Sequence, residues 1–208
     1  MLPLLGVMVA AYLLGSVPFG FLLVKAFTGR DVRQAGSGRT GGTNSWRVAG
    51  RLPGLLTTLL DGSKAAGGVW LAQAVLTPDW RYWGMALAGV CVIAGHNYSV
   101  FLNFRGGAGG ASCVGGAVGL WPWSILIVLP IALAIWWGVG YASLATLSVS
   151  VIITLILVAR AWFGHAPWEF VVYGGGAVLL LAWALRPNLK RLLRGEERRF
   201  NPLARHHK

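Results

Sequence analysis

The chain has 208 residues, of which 56% are apolar, a mean hydropathy of +0.64 and a formal net charge of +12. That apolar share is too high for a soluble domain of this size, so an integral membrane protein is expected. The basic residues lie between apolar runs rather than along one soluble face, which argues against nucleic acid as the partner and for anionic membrane lipid.

Residues 2–24 form an apolar run long enough to span a bilayer, with no basic segment before it, and so read as a first membrane helix rather than a cleaved signal. Pro18, inside GSVPFG, predicts a kink near its far end. Lys25, Arg30, Arg33, Arg39, Arg47 and Arg51 then crowd one loop, opposed only by Asp31, and this bias assigns the loop to the cytoplasm and the N-terminus to the outside.

Within that loop, DVRQAGSGRTGGTNSWR is the least membrane-like stretch of the chain. Gly36, Gly38, Gly41 and Gly42 permit positive φ and inward-turned N–H groups, the geometry of an anion nest. Ser37, Thr40 and Thr43 add hydroxyls, Asn44 an amide, and Arg33, Arg39 and Arg47 planar forks that match a phosphate. A plain flexible connector is the competing interpretation.

Residues 52–76 carry the chain back, with Asp61 and Lys64 three apart on one helical face, either paired with each other or facing a polar cavity. After a short turn at Pro78, residues 82–94 run inward to the second polar stretch, GHNYSVFLNFRGGAGGAS, which holds His96, Arg105, Gly106 and Gly107. Spans are expected at 106–120, 124–137, 141–160 and 170–185, with aromatic turns between them and Ser143 at an inner end. The tail, at about 186–208, is strongly basic and belongs inside, so seven spans with the N-terminus out and the C-terminus in satisfy the charge rule at both ends. Asn188 lies at that same face. His165, His206 and His207 have no partnered setting in the sequence.

No GxSxG elbow, HExxH, Walker lysine or Cys/His pair at a catalytic spacing is present. Chemistry at this face would rest on positioning and electrostatics, which suits a substrate with a phosphate head and an activated acyl partner. A non-catalytic lipid- or phosphate-binding protein and a small anion transporter are the alternatives. The transporter lacks matching broken helices in an inverted repeat.

The ordered motifs GSVPFG, DVRQAGSGRTGGTNSWR, DGSK, GHNYSVFLNFRGGAGGAS, GYASL and RPNLKRLLRGEE resemble those of the PlsY-type acyl-phosphate:glycerol-3-phosphate acyltransferases over essentially the whole chain. The resemblance implies a single all-α domain with seven spans in a bacterial inner membrane and its active site on the cytoplasmic face. It implies transfer of an acyl group from acyl phosphate to glycerol 3-phosphate, giving lysophosphatidic acid, with neither metal nor other cofactor. It puts Ser37, Arg47, His96 and Ser143 in the catalytic set. Gly36, Gly38, Thr43, Asn44, Asp61, Lys64, Gly106, Gly107 and Asn188 fall in the substrate-binding set, with Arg39 and Arg105 as replacement cations for the family lysine absent at Ala108. Substrate-assisted catalysis, in which a substrate phosphate helps remove the hydroxyl proton, fits the lack of a clear protein base. The chain departs from the family pattern at Arg39 (usually asparagine), Gly42 (alanine), Ser99 (proline), Ala108 (lysine), Gly140 (arginine) and Leu185 (histidine). A changed acceptor is therefore a further alternative.

Overall fold

The computed structural model describes residues 1–197 and 199, and all regular structure among them is helical. The α-helices in order are α1 (Leu2–Ser16), α2 (Phe19–Thr28), α3 (Gly42–Ala49), α4 (Arg51–Val75), α5 (Pro78–Asn97), α6 (Gly110–Leu120), α7 (Ser124–Val139), α8 (Ala142–Trp162) and α9 (Glu169–Leu193). Short 3-10 turns lie at Val32–Gln34 and Val100–Leu102. Four stretches are long and apolar enough to cross a membrane: Leu2–Thr28, Pro78–Leu102, Ala142–Trp162 and Glu169–Leu193. The shorter apolar helices are Gly110–Leu120 and Ser124–Val139. The chain is an all-α integral membrane protein, and each of the seven expected spans falls on a helical segment.

Three local details differ from expectation. Pro18 does not merely kink the first span. Its ring and missing N–H stop α1 at Ser16, and the helix restarts at Phe19. The carbonyls left at the break find side-chain donors, Ser99 Oγ on Ser16 O at 2.6 Å and Lys64 Nζ on Val17 O at 2.9 Å. Residues 106–109 are loop, so α6 begins only at Gly110. The last helix runs on through Pro187 to Leu193, taking the start of the basic stretch with it. His206 and His207 lie outside the described residues.

Helix α5 packs against α1, α4, α6 and α9 and forms the centre of the bundle. Small residues make that closeness possible: a methyl at Gly15 would collide with the Val92 carbonyl, and one at Gly115 with the backbone of Gly62. Tyr173, fully buried on α9, donates its hydroxyl to the Cys113 carbonyl and ties α9 to α6. Cys113 is buried and Cys91 half-buried, both as free thiols. This packing brings the start of α4, the end of α5, the start of α6 and the end of α9 to one end of the molecule, around the loop that precedes α3.

Candidate active site

The loop before α3 is built around Asn44. Its Oδ1 accepts from the Ser37 N–H at 2.8 Å, while Nδ2 donates to the carbonyls of Val32, Ala35 and Arg39 at 3.2, 3.0 and 2.9 Å. Gly36 and Gly38 take φ of 62° and 72°, and a methyl at Gly36 would strike the Asn44 amide. The Asn44 amide thus holds the loop in shape from within. Arg33 is similarly committed: it pairs with Asp31 at 2.7 Å and lies over the Phe21 ring. The Arg33 hydrogen bond holds the Asp31 carboxyl below its ordinary range. Ser37 is exposed at the loop tip. Thr43 and Arg47 lie four apart, on one face of α3.

Arg39 leaves this loop and joins three elements. Its guanidinium donates to the Gly107 carbonyl at 3.2 Å, to the Ala184 carbonyl and to Asn188 Oδ1 at 3.1 Å. Burial pulls the group below its ordinary pKa, and the nearby Arg191 charge adds to the effect. It remains a cation, since guanidinium does not titrate in proteins, and all three acceptors are neutral. Asn188 in turn donates Nδ2 to Glu197 Oε1 at 2.9 Å, and Glu197 lies 3.5 Å from Arg191 Nε.

Gly107 carries the connection to a second buried set. Its N–H donates to His96 O at 3.0 Å, and the Gly106 N–H donates to Asn97 O at 3.1 Å, closing the end of α5. These two glycines therefore spend their N–H groups on the end of α5. The His96 ring points its Nε2 at Gly107, where any side chain would strike it. Behind it, Lys64 Nζ sits 2.7 Å from Asp61 Oδ1, 2.9 Å from Val17 O and 3.2 Å from His96 Nδ1. His96 Nδ1 also lies 3.4 Å from Asp61 Oδ1, so the Asp61–Lys64 pair engages that ring nitrogen and leaves Nε2 facing the glycine loop.

Six of the expected residues thus fall into one network running Asp61, Lys64, His96, Gly107, Arg39, Asn188. Ser143 is buried in the first turn of α8, and its hydroxyl has no hydrogen-bond partner among the described residues. Arg105 is exposed on the rim and outside the network. Sequence reading did not single out Glu197, although it stands in the GEE that closes the last motif. The backbone acceptors at Val17, Gly107 and Ala184 have no side-chain signature. Among the described residues no three His, Cys, Asp or Glu side chains gather as metal ligands.

A half-buried cation set on glycine-rich loops at one end of a membrane helix bundle, with no nucleophile joined to a base among the described residues, suits a membrane protein that handles an anionic substrate by positioning it. The family model described as glycerol-3-phosphate acyltransferase matches residues 5–195. "Glycerol-3-phosphate acyltransferase 3" of Dehalococcoides mccartyi is 37% identical, with 97% of this chain and 98% of that protein covered. The Rubrobacter xylanophilus glycerol-3-phosphate acyltransferase is 40% identical, with 91% of each covered. The crystal structure of PlsY (YgiH), an integral membrane glycerol 3-phosphate acyltransferase, in its glycerol 3-phosphate form superposes with a TM-score of 0.84 at 31% identity, covering 96% of both chains. The chain belongs to the glycerol-3-phosphate acyltransferase family.

Proposed function

We propose that this protein transfers a fatty acyl group from acyl phosphate to glycerol 3-phosphate, releasing lysophosphatidic acid and inorganic phosphate. The observation that carries the proposal is Arg39: a half-buried cation held between two glycine loops and α9 by neutral hydrogen-bond acceptors, its charge left for a bound phosphate. Arg47 and Thr43 on α3, with Ser37 at the loop tip, bind phosphate from the other side. The first turn of α6 adds the N–H groups of an unpaired helix start. His96 Nε2, Asn188 and the Ser143 hydroxyl orient the acceptor, and the Asp61–Lys64 pair holds the His96 ring through Nδ1.

In the reaction, the acceptor hydroxyl oxygen forms a bond to the acyl carbonyl carbon, and the bond from that carbon to the donor phosphate oxygen breaks. The hydroxyl proton ends on the departing phosphate, so no protein base is required. The cations stabilise charge that grows on carbonyl and phosphate oxygens as the bond breaks. The site lies at the cytoplasmic face of a bacterial inner membrane, with the N-terminus outside and the C-terminus inside, as the basic loop and tail favour. The residues form one domain, the basic stretch at about 186–208 extending from it.

Purified protein in liposomes, given acyl phosphate and radiolabelled glycerol 3-phosphate, is expected to form lysophosphatidic acid and phosphate in equal amounts, and Ser37→Ala to lose most of that turnover. A folded preparation that binds glycerol 3-phosphate without turnover would instead identify a binding protein. Product from acyl-CoA but not from acyl phosphate would refute the donor.

A further inference from the structure

The opposite end of the bundle holds a cavity of about 340 Å³, bounded by Trp70 and Gln73 at the end of α4, Arg81 and Tyr82 at the start of α5, Leu120 at the end of α6 and Phe170 at the start of α9. Arg81 lies fifteen residues before His96 on α5, which at 1.5 Å per residue separates the cavity from the candidate active site by about 22 Å. Its Nε is buried and has no hydrogen-bond partner, and Arg81 makes no ion pair among the described residues, although Asp79 and Glu169 stand at the same end. A second guanidinium stands at the same end, with Arg160 stacked 3.8 Å over the ring of Trp121, the residue between the lining residues Leu120 and Pro122, and donating to the His165 carbonyl.

Two cations at a membrane end call for an anion, because an unpaired buried guanidinium donor is costly. The surroundings narrow its chemistry. Trp70 and Tyr82 are 48% and 47% exposed, and Tyr82 meets Phe170 edge-on at 5.9 Å, so the cavity opens through an aromatic rim onto the apolar flank of the bundle. That combination suits an amphiphile whose phosphate reaches the fork of Arg81 and whose first methylenes lie along the aromatic rings. We infer that this cavity is a binding site for the phosphate headgroup of an anionic phospholipid in the leaflet away from the active site.

The test uses the purified full-length chain in neutral detergent, titrated with phosphatidylglycerol, phosphatidylcholine or inorganic phosphate. Bound lipid is counted by native mass spectrometry and Tm is followed. Because the basic end of α9 also attracts anionic lipid, the readout is the difference between the parent and its variants. Arg81 bonds no other described side chain, so Arg81→Gln keeps the fold, and Arg81→Glu reverses the charge as a second probe. The parent is expected to retain one tightly held phosphatidylglycerol that both variants bind about tenfold more weakly or worse, with a matching loss of the Tm rise. Equal retention by parent and variants overturns the site. A Tm rise from inorganic phosphate as large as that from phosphatidylglycerol, and likewise lost in the variants, overturns the lipid as its occupant.

Discussion

Single side chains show how this membrane face holds its charges. Lys64 neutralises Asp61 inside the bundle while also serving the carbonyl left free by Pro18 and the ring of His96. Removing one partner of such a buried pair leaves the other charge uncompensated, so Lys64→Met should destabilise the protein by about 3–5 kcal/mol. Asp61→Asn with Lys64→Met should recover part of that loss, and thermal melts of the three proteins check it. Asp31 is a milder case. Its carboxyl is held below 3.8 by Arg33, so its contribution is complete above that value and fades as pH falls through the lowered one. Asp31→Asn should therefore melt slightly earlier at pH 7, by about 1 kcal/mol or less, and the difference should shrink below pH 3.8. The sequence displayed every charge in both sets. It did not display their partners, because Val17 O, Gly107 O and Ala184 O are backbone atoms positioned only by the fold. Asn44, Gly106 and Gly107 were legible as site residues, yet the hydrogen bonds that satisfy them turn them inward to the scaffold.

At the scale of elements, helix closeness and helix breaks decide where the site forms. The break at Pro18 opens the carbonyls that Lys64 and Ser99 occupy, and proline made that break readable. Whether it would be a kink or an interruption depended on those two donors, which lie far away in sequence. The start of α6 was misplaced by four residues because a run of glycine, alanine and serine suits either a thin helix or a loop. The hydrogen bonds of Gly106 and Gly107 to the end of α5 settle it as loop. Helices α4 and α6 approach so closely that Gly115→Ala forces backbone to move, and an overpacking cost of about 1–3 kcal/mol is expected. A denaturation series on Gly115→Ala, beside Gly175→Ala where a methyl meets open space, separates this packing from helix propensity.

For the whole molecule, composition alone placed the chain in a membrane, and hydrophobic runs located its helical segments, since in lipid every backbone group must be satisfied within a helix. Convergence of loops on one end was legible from the charge distribution, because positive residues cluster in the first loop and the tail. The charge bias also predicts orientation. With Cys91 and Cys113 replaced, a single cysteine at His165 should react with a membrane-impermeant thiol reagent added to intact cells. One at Gly195 should react only after the membrane is opened. The reverse pattern would put the site outside.

Arg39 is the joint between the first loop, the Gly107 loop and α9, and Ala108 directly follows the Gly107 carbonyl to which Arg39 donates. The most direct measurement is the kcat/KM of lysophosphatidic acid formation from acyl phosphate and glycerol 3-phosphate for the parent, Arg39→Gln, and Arg39→Gln with Ala108→Lys. Loss of charge-assisted bonds worth about 1.5–3 kcal/mol predicts a fall of roughly ten- to a hundredfold in the single variant, with partial recovery in the double variant. Turnover by Arg39→Gln equal to the parent's would contradict Arg39 as the centre of the site.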